Sequence, residues 1–158
     1  MKNYLPKQYK KTTKLKINHN YLFEQFADYS KIFKEIEKVV KRGDYTLGQK
    51  VNEFEKNFAK FCGSKFAIGC ANGTDALTIA LKALNLPRNS EVIIPAMTYC
   101  STAFAVINAN LKPVLVDIDY LKPTISVEKI KKKINSKTKV IIPVHLYGSS
   151  ADLKSIKK

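Results

Sequence analysis

Phe66-Ala67-Ile68-Gly69-Cys70-Ala71-Asn72-Gly73-Thr74-Asp75-Ala76-Leu77 is the stretch whose reading decides how this chain folds. A short apolar run of strand character ends in small, turn-forming residues, and a helical pattern starts immediately after them. Leu77, Ala80, Leu81 and Leu84 keep the i, i+3, i+4, i+7 spacing of one buried helix face. Gly73 permits a tight turn and leaves room for a ligand to approach. A helix starting there presents the backbone N–H groups of Thr74 and Asp75 at its positive end, without partners inside the helix. Those donors can hold a phosphate, and they equally suit an ordinary strand-to-helix turn capped by Asn72 or Thr74. Both readings stand on these residues alone. Two nucleotide motifs fail. Thr74 follows Gly73 where a Walker A loop needs lysine, and Gly69 to Gly73 does not supply G-x-G-x-x-G.

Working outward, the chain alternates strand and helix from Lys65 onward. Strands are predicted at Phe66 to Cys70, Val92 to Pro95, Pro113 to Asp117 and Val140 to His145. Helices are predicted at Asp75 to Leu84, Ser101 to Asn108 and Val127 to Ile134, with another beginning near Ala151. The strands are near-continuous aliphatic runs, as expected of a parallel sheet covered on both faces. Repeated βα units of this kind build an open α/β sheet, with ligands at the carboxyl ends of its strands. Three loops are therefore candidates for a site: Ala71 to Asp75, Ala96 to Ser101 and Leu146 to Ser150. In the second, Tyr99 stands among small and hydroxyl residues, where an aromatic can stack on a planar ligand or simply cover the core.

Ahead of the alternation, residues 1–20 read as a polar, basic leader and residues 21–63 as a helical segment. The α/β region occupies residues 64–158. Ser30 is placed to cap a helix carrying Ile32, Phe33, Ile36, Val39 and Val40, which Gly43-Asp44 ends. After Tyr45-Thr46-Leu47-Gly48, a second helix is expected to bury Val51, Phe54, Phe58 and Phe61 before Gly63 closes it.

The net charge of +15 comes from 28 Lys and Arg against 13 Asp and Glu. Only Arg42 and Arg88 are arginines, and the lysines are spread over many helix faces. The dense stretches are Lys2 to Lys16 and Lys129 to Lys139. Lacking arginine and any aromatic-basic interleaving, the charge reads as compositional bias and not as a nucleic-acid surface. No run approaches the ~20 apolar residues of a membrane span. Met1 to Lys7 has no signal-peptide core, so a cytoplasmic location is expected. Cys62, Cys70 and Cys100 form no metal spacing and read as reduced, partly buried thiols. His145, at the end of an aliphatic strand, reads as a structural or site-lining residue.

Six blocks then appear in order: Tyr45-Thr46-Leu47-Gly48; Val51-x-x-Phe54-Glu55; Asn72-Gly73-Thr74-Asp75-Ala76-Leu77; Glu91 to Tyr99; Pro113-Val114-Leu115-Val116-Asp117-Ile118-Asp119; and Ile142-Pro143-Val144-His145-Leu146-Tyr147-Gly148. This series resembles the DegT/DnrJ/EryC1/StrS family of sugar aminotransferases, which depend on pyridoxal 5′-phosphate, from about Tyr21 onward. The resemblance implies the aspartate-aminotransferase-like fold, here the first part of its large α/β domain, and a homodimer when full length. It implies that Gly73, Thr74 and Asp75 hold the cofactor phosphate and that Tyr99 stacks on the pyridine ring. It also implies a nucleotide-linked keto-sugar as substrate and glutamate as amino donor, in making cell-surface polysaccharide or a glycosylated metabolite. The family's Schiff-base lysine and its Asp-x-Ala motif match no residue of this sequence; Lys157 and Lys158 fit neither. The 158 residues alone are thus expected to be inactive. A reading of a different class is a non-catalytic relative that binds a phosphate ligand or partner subunit.

Overall fold

The computed structural model describes residues 21–158, and the chain divides into two units between Ala67 and Ile68. The basic leader, including Lys2 to Lys16, lies outside the described residues.

In the second unit, the strand β1 (Glu91–Pro95) is buried along its whole length. It is flanked by β2 (Lys112–Val116) and β3 (Thr138–Ile141), both parallel to it, in the order β2-β1-β3. Side chains alternate across a strand, so β1 serves two cores at once. Val92 and Ile94 pack with Leu81 of α4 (Gly73–Ala83) and with Ala105 and Val106 of α5 (Ser101–Asn108). Ile93 points the other way, into a cluster with Val116, Ile125 and Ile130, the last from α6 (Val127–Lys133). Ile156 of the short α7 (Leu153–Ile156) packs against this second cluster. Burying side chains on both faces is what demanded an aliphatic run without alternation.

At the start of the sheet Glu91 is nearly buried, and both its carboxylate oxygens are bonded. Asn135 Nδ2 donates to one at 2.8 Å and Lys112 Nζ to the other at 3.1 Å. These bonds, Asn135 first, hold the Glu91 carboxyl below its ordinary pKa.

The expected strand at Phe66 to Cys70 is not one. The segment is irregular and lies outside the three-stranded sheet, with Phe66 and Ile68 largely exposed. Aliphatic composition makes a segment suitable for a ladder, but only a neighbouring strand makes it one. The buried face of α4 is also turned from the expected one. Leu81 and Thr78 are buried and Leu77 partly so, whereas Ala80 and Leu84 are exposed. The sheet and α5 together decide which face is covered, and α5 packs beside α4 on the side that carries Thr74 and Thr78.

In the first unit, α1 (Leu22–Gln25) precedes α2 (Tyr29–Arg42) and α3 (Gln49–Cys62). Gly43 and Gly63 end α2 and α3 in the left-handed conformation, as their positions predicted. Ser30 does not cap α2: the helix starts two residues earlier, at Tyr29 after Asp28, and has no side-chain cap bond. The turn between α2 and α3 is tied by Asp44, whose carboxylate accepts the Gln49 N–H at 2.8 Å. A Cβ at position 48 would run into that carboxylate, so a side chain there would have to displace Asp44. Glu35 of α2 accepts from Lys38 and from Lys50 of α3, which hold its carboxyl down to about 2. Phe54, Phe58 and Phe61 are not buried as expected. They line one side of α3, with Phe54 and Phe58 stacked at 5.5 Å between centroids and Phe61 86% exposed. Helical spacing gathers them on one face, but no element among the described residues of this unit covers it.

The cysteines are free, as expected, but exposed and not partly buried. Each sits at a helix end or a turn: Cys62 closes α3, Cys70 precedes the turn at Asn72, and Cys100 precedes α5.

Candidate functional site

Asn72 starts the site. Its extended backbone leads into α4, and its Oδ1 accepts the Asp75 N–H at 2.9 Å. Its Nδ2 in turn donates to the Asp75 carboxylate at 2.9 Å. Of the two capping residues open on sequence, Asn72 is the one used. This reciprocal pair satisfies one of the orphan amides of the first turn. The Gly73 and Thr74 amides meet no acceptor among the described residues. Gly73 has no positive φ to justify it; a Cβ there would meet nothing within 4 Å. The side on which a Cβ would stand is open space. An anion fits that combination of open approach, unpaired N–H groups and positive helix end.

The second candidate loop joins the first. Thr74 Oγ1 donates to Ser101 Oγ at 2.8 Å, linking the start of α4 to the start of α5. The loop 96–100 leaves the carboxyl end of β1, where the Ala96 N–H bonds to the Val116 carbonyl. Within it Tyr99 is 76% exposed. Its carbonyl accepts the Thr102 N–H at 3.1 Å, and its neighbour Thr98 shares a 2.9 Å hydrogen bond with the nearly buried Thr102 hydroxyl. The backbone is anchored while the ring stands free, which suits a stacking platform and not a lid over the core. Gly73, Thr74, Asp75 and Tyr99 therefore belong to one end of one sheet.

The third loop, Leu146 to Ser150, has other neighbours. Leu146 and Ser149 form a two-residue hairpin, with Tyr147 and Gly148 both at positive φ as in a type I′ turn. Ser150 and Asp152 border a cleft of about 340 Å³ with Asp119, Thr124 and Ser126, residues following β2. His145 ties this loop to the next: its Nδ1 accepts the Ala151 N–H at 3.0 Å. Among the described residues no cluster of His, Cys, Asp or Glu could hold a metal ion, and no helix is long and apolar enough to cross a membrane.

Reading the sequence put Ser101 at the end of the second candidate loop but missed its contact with Thr74. The residue is plain in it, since serine is common where a helix starts. Its partner, 27 residues earlier, is not.

The model of the DegT/DnrJ/EryC1/StrS aminotransferase family matches residues 27–158. A dTDP-3-amino-3,6-dideoxy-alpha-D-galactopyranose transaminase of Aneurinibacillus thermoaerophilus is 44% identical over 119 residues, covering 75% of this chain and 33% of the relative. A UDP-2-acetamido-2-deoxy-3-oxo-D-glucuronate aminotransferase of Pseudomonas aeruginosa is 44% identical over 126 residues, covering 80% of this chain and 35% of the relative. Among solved structures, NtdA from Bacillus subtilis with bound cofactor PMP superposes with a TM-score of 0.82 at 31% identity. That match covers 95% of this chain and 35% of NtdA. The chain spans about a third of the length of the relatives it matches.

Proposed function

The chain belongs to the DegT/DnrJ/EryC1/StrS aminotransferase family, and on that premise we propose that it carries the phosphate-binding part of a pyridoxal 5′-phosphate site. The observation that carries this reading is the meeting, at one end of β1, of two unpaired amides beside a glycine's open side with an exposed tyrosine ring on an anchored backbone. The Gly73 and Thr74 amides hold the cofactor phosphate, helped by the positive end of α4. Asp75 acts through the cap: with its amide and carboxylate both engaged by Asn72, it sets the turn from which the other two amides project. Tyr99 stacks on the pyridine ring and keeps water from that face. When bound, the cofactor supplies the electron sink for moving an amino group. No residue of this chain is assigned the role of covalent lysine.

The amino donor is glutamate, and the substrate is a nucleotide-linked keto-sugar, consistent with the dTDP- and UDP-sugar transaminase activities of the two relatives. The working enzyme is a cytoplasmic homodimer serving polysaccharide or glycosylated-metabolite synthesis. The test uses the intact protein loaded with pyridoxal 5′-phosphate. Adding glutamate should bleach the absorbance of the pyridoxal form, and a keto-sugar linked to dTDP, UDP or GDP should restore it. A protein that takes up no cofactor, or whose spectrum none of these partners alters, overturns the reading.

A further inference from the structure

Ser101 opens α5, yet that helix has no side-chain cap. Ser101 is the first helical residue, one past the N-cap position held by Cys100, so capping makes no demand on its hydroxyl. Here the half-buried hydroxyl instead meets Thr74 Oγ1 of another helix. Thr74 is thereby held twice, since its carbonyl also accepts from the Thr78 hydroxyl at 2.9 Å. Two residues before Ser101 is Tyr99, fixed at its carbonyl by the Thr102 N–H and flanked by the Thr98–Thr102 hydroxyl pair. The anion-binding turn and the aromatic platform are thus joined through one hydroxyl contact.

We propose that Ser101 is a positioning residue for the cofactor: acting through Thr74, it sets the separation between the phosphate-binding turn and the Tyr99 ring. This rests on the reading of Gly73 to Asp75 as a phosphate site. The phosphate and ring of pyridoxal 5′-phosphate are joined by a single short linkage, so both can be engaged together only at one spacing. A supporting contact that holds the spacing tightly strengthens binding of the whole molecule and does little for either half alone.

The experiment compares pyridoxal 5′-phosphate with pyridoxal, which lacks the phosphate, on the intact protein. Ser101→Ala should weaken binding of the phosphate ester by about three- to tenfold, the size of one hydrogen bond, while pyridoxal changes less than about twofold. The circular dichroism induced in the bound cofactor, which reports ring orientation, should fall, and Ser101→Thr should restore it. Thr74→Val removes the same contact from the other helix, so the idea stays testable if Ser101→Ala fails to fold. In that background Ser101→Ala should add nothing. Equal weakening of both ligands, unchanged affinity for the phosphate ester, or additive losses in the double variant would overturn the role of Ser101. A wild-type protein that binds pyridoxal as tightly as its phosphate ester overturns instead the phosphate site beneath it.

Discussion

At the amino end of β1, Glu91 is nearly buried and both carboxylate oxygens are taken, by Asn135 from beyond α6 and Lys112 from β2. At the carboxyl end, past Pro95, the strand opens into hydroxyls that bond one another, two amides that bond nothing described, and a tyrosine ring in solvent. One end closes the sheet. The other keeps unused hydrogen-bonding capacity at the positive end of α4. The difference separates polar groups that serve the fold from polar groups available to a ligand. A buried group without a partner is costly, so capacity left over at an open edge is the informative kind.

The sharpest way to break this contrast is to place a negative charge at the open end. Thr74→Glu should lower pyridoxal 5′-phosphate affinity by roughly a hundredfold or more, because like charges in direct contact cost several kcal/mol. Cofactor titration of the intact protein reads the loss, and undiminished uptake would remove the anion from this turn. At the closed end the expected effect is on stability alone. Glu91→Gln should lower Tm by about 5 °C, as expected for the loss of one well-bonded partner, and leave cofactor affinity untouched. The pH dependence follows from its lowered carboxyl. A depressed folded pKa contributes stability that is present above the ordinary carboxylate range and is lost as pH falls through the folded value. The gap in Tm between wild type and Glu91→Gln should therefore narrow in acid; a gap that widens there contradicts the assignment.

Smaller effects refine the comparison. Tyr99→Ala should weaken cofactor binding by about three- to tenfold, the range of an aromatic contact, with circular dichroism of the backbone unchanged. Unaltered affinity would return Tyr99 to the role of surface residue. The Asp117–Lys129 pair, at 2.7 Å, is well formed but exposed on both sides. Removing it with Lys129→Ala should shift Tm by less than about 2 °C. A larger drop would show that bonding at the surface matters here as much as bonding at the sheet's closed end.

Several features were legible because they depend on near neighbours in the chain. The aliphatic runs of β1 and β2, the span of α5 from Ser101 to Asn108, and the left-handed glycines at 43 and 63 follow from periodicity and turn chemistry over a few residues. The family blocks pointed to Gly73, Thr74, Asp75 and Tyr99 as one site before any geometry was in hand. What the tertiary structure decided depends on distant partners. Phe66 to Cys70 has the composition of a strand and no place in the sheet. The phenylalanines of α3 have helical spacing but remain exposed. Ser101 meets Thr74 across 27 residues, and Asn135 meets Glu91 across 44. Local pattern states what a segment is able to do. Whether a polar group is satisfied or left open is settled by which remote segment the path of the chain brings beside it. For that reason the turn at Gly73 was readable as a possible anion site from its residues, while the hydroxyl contact that ties it to Tyr99 was not.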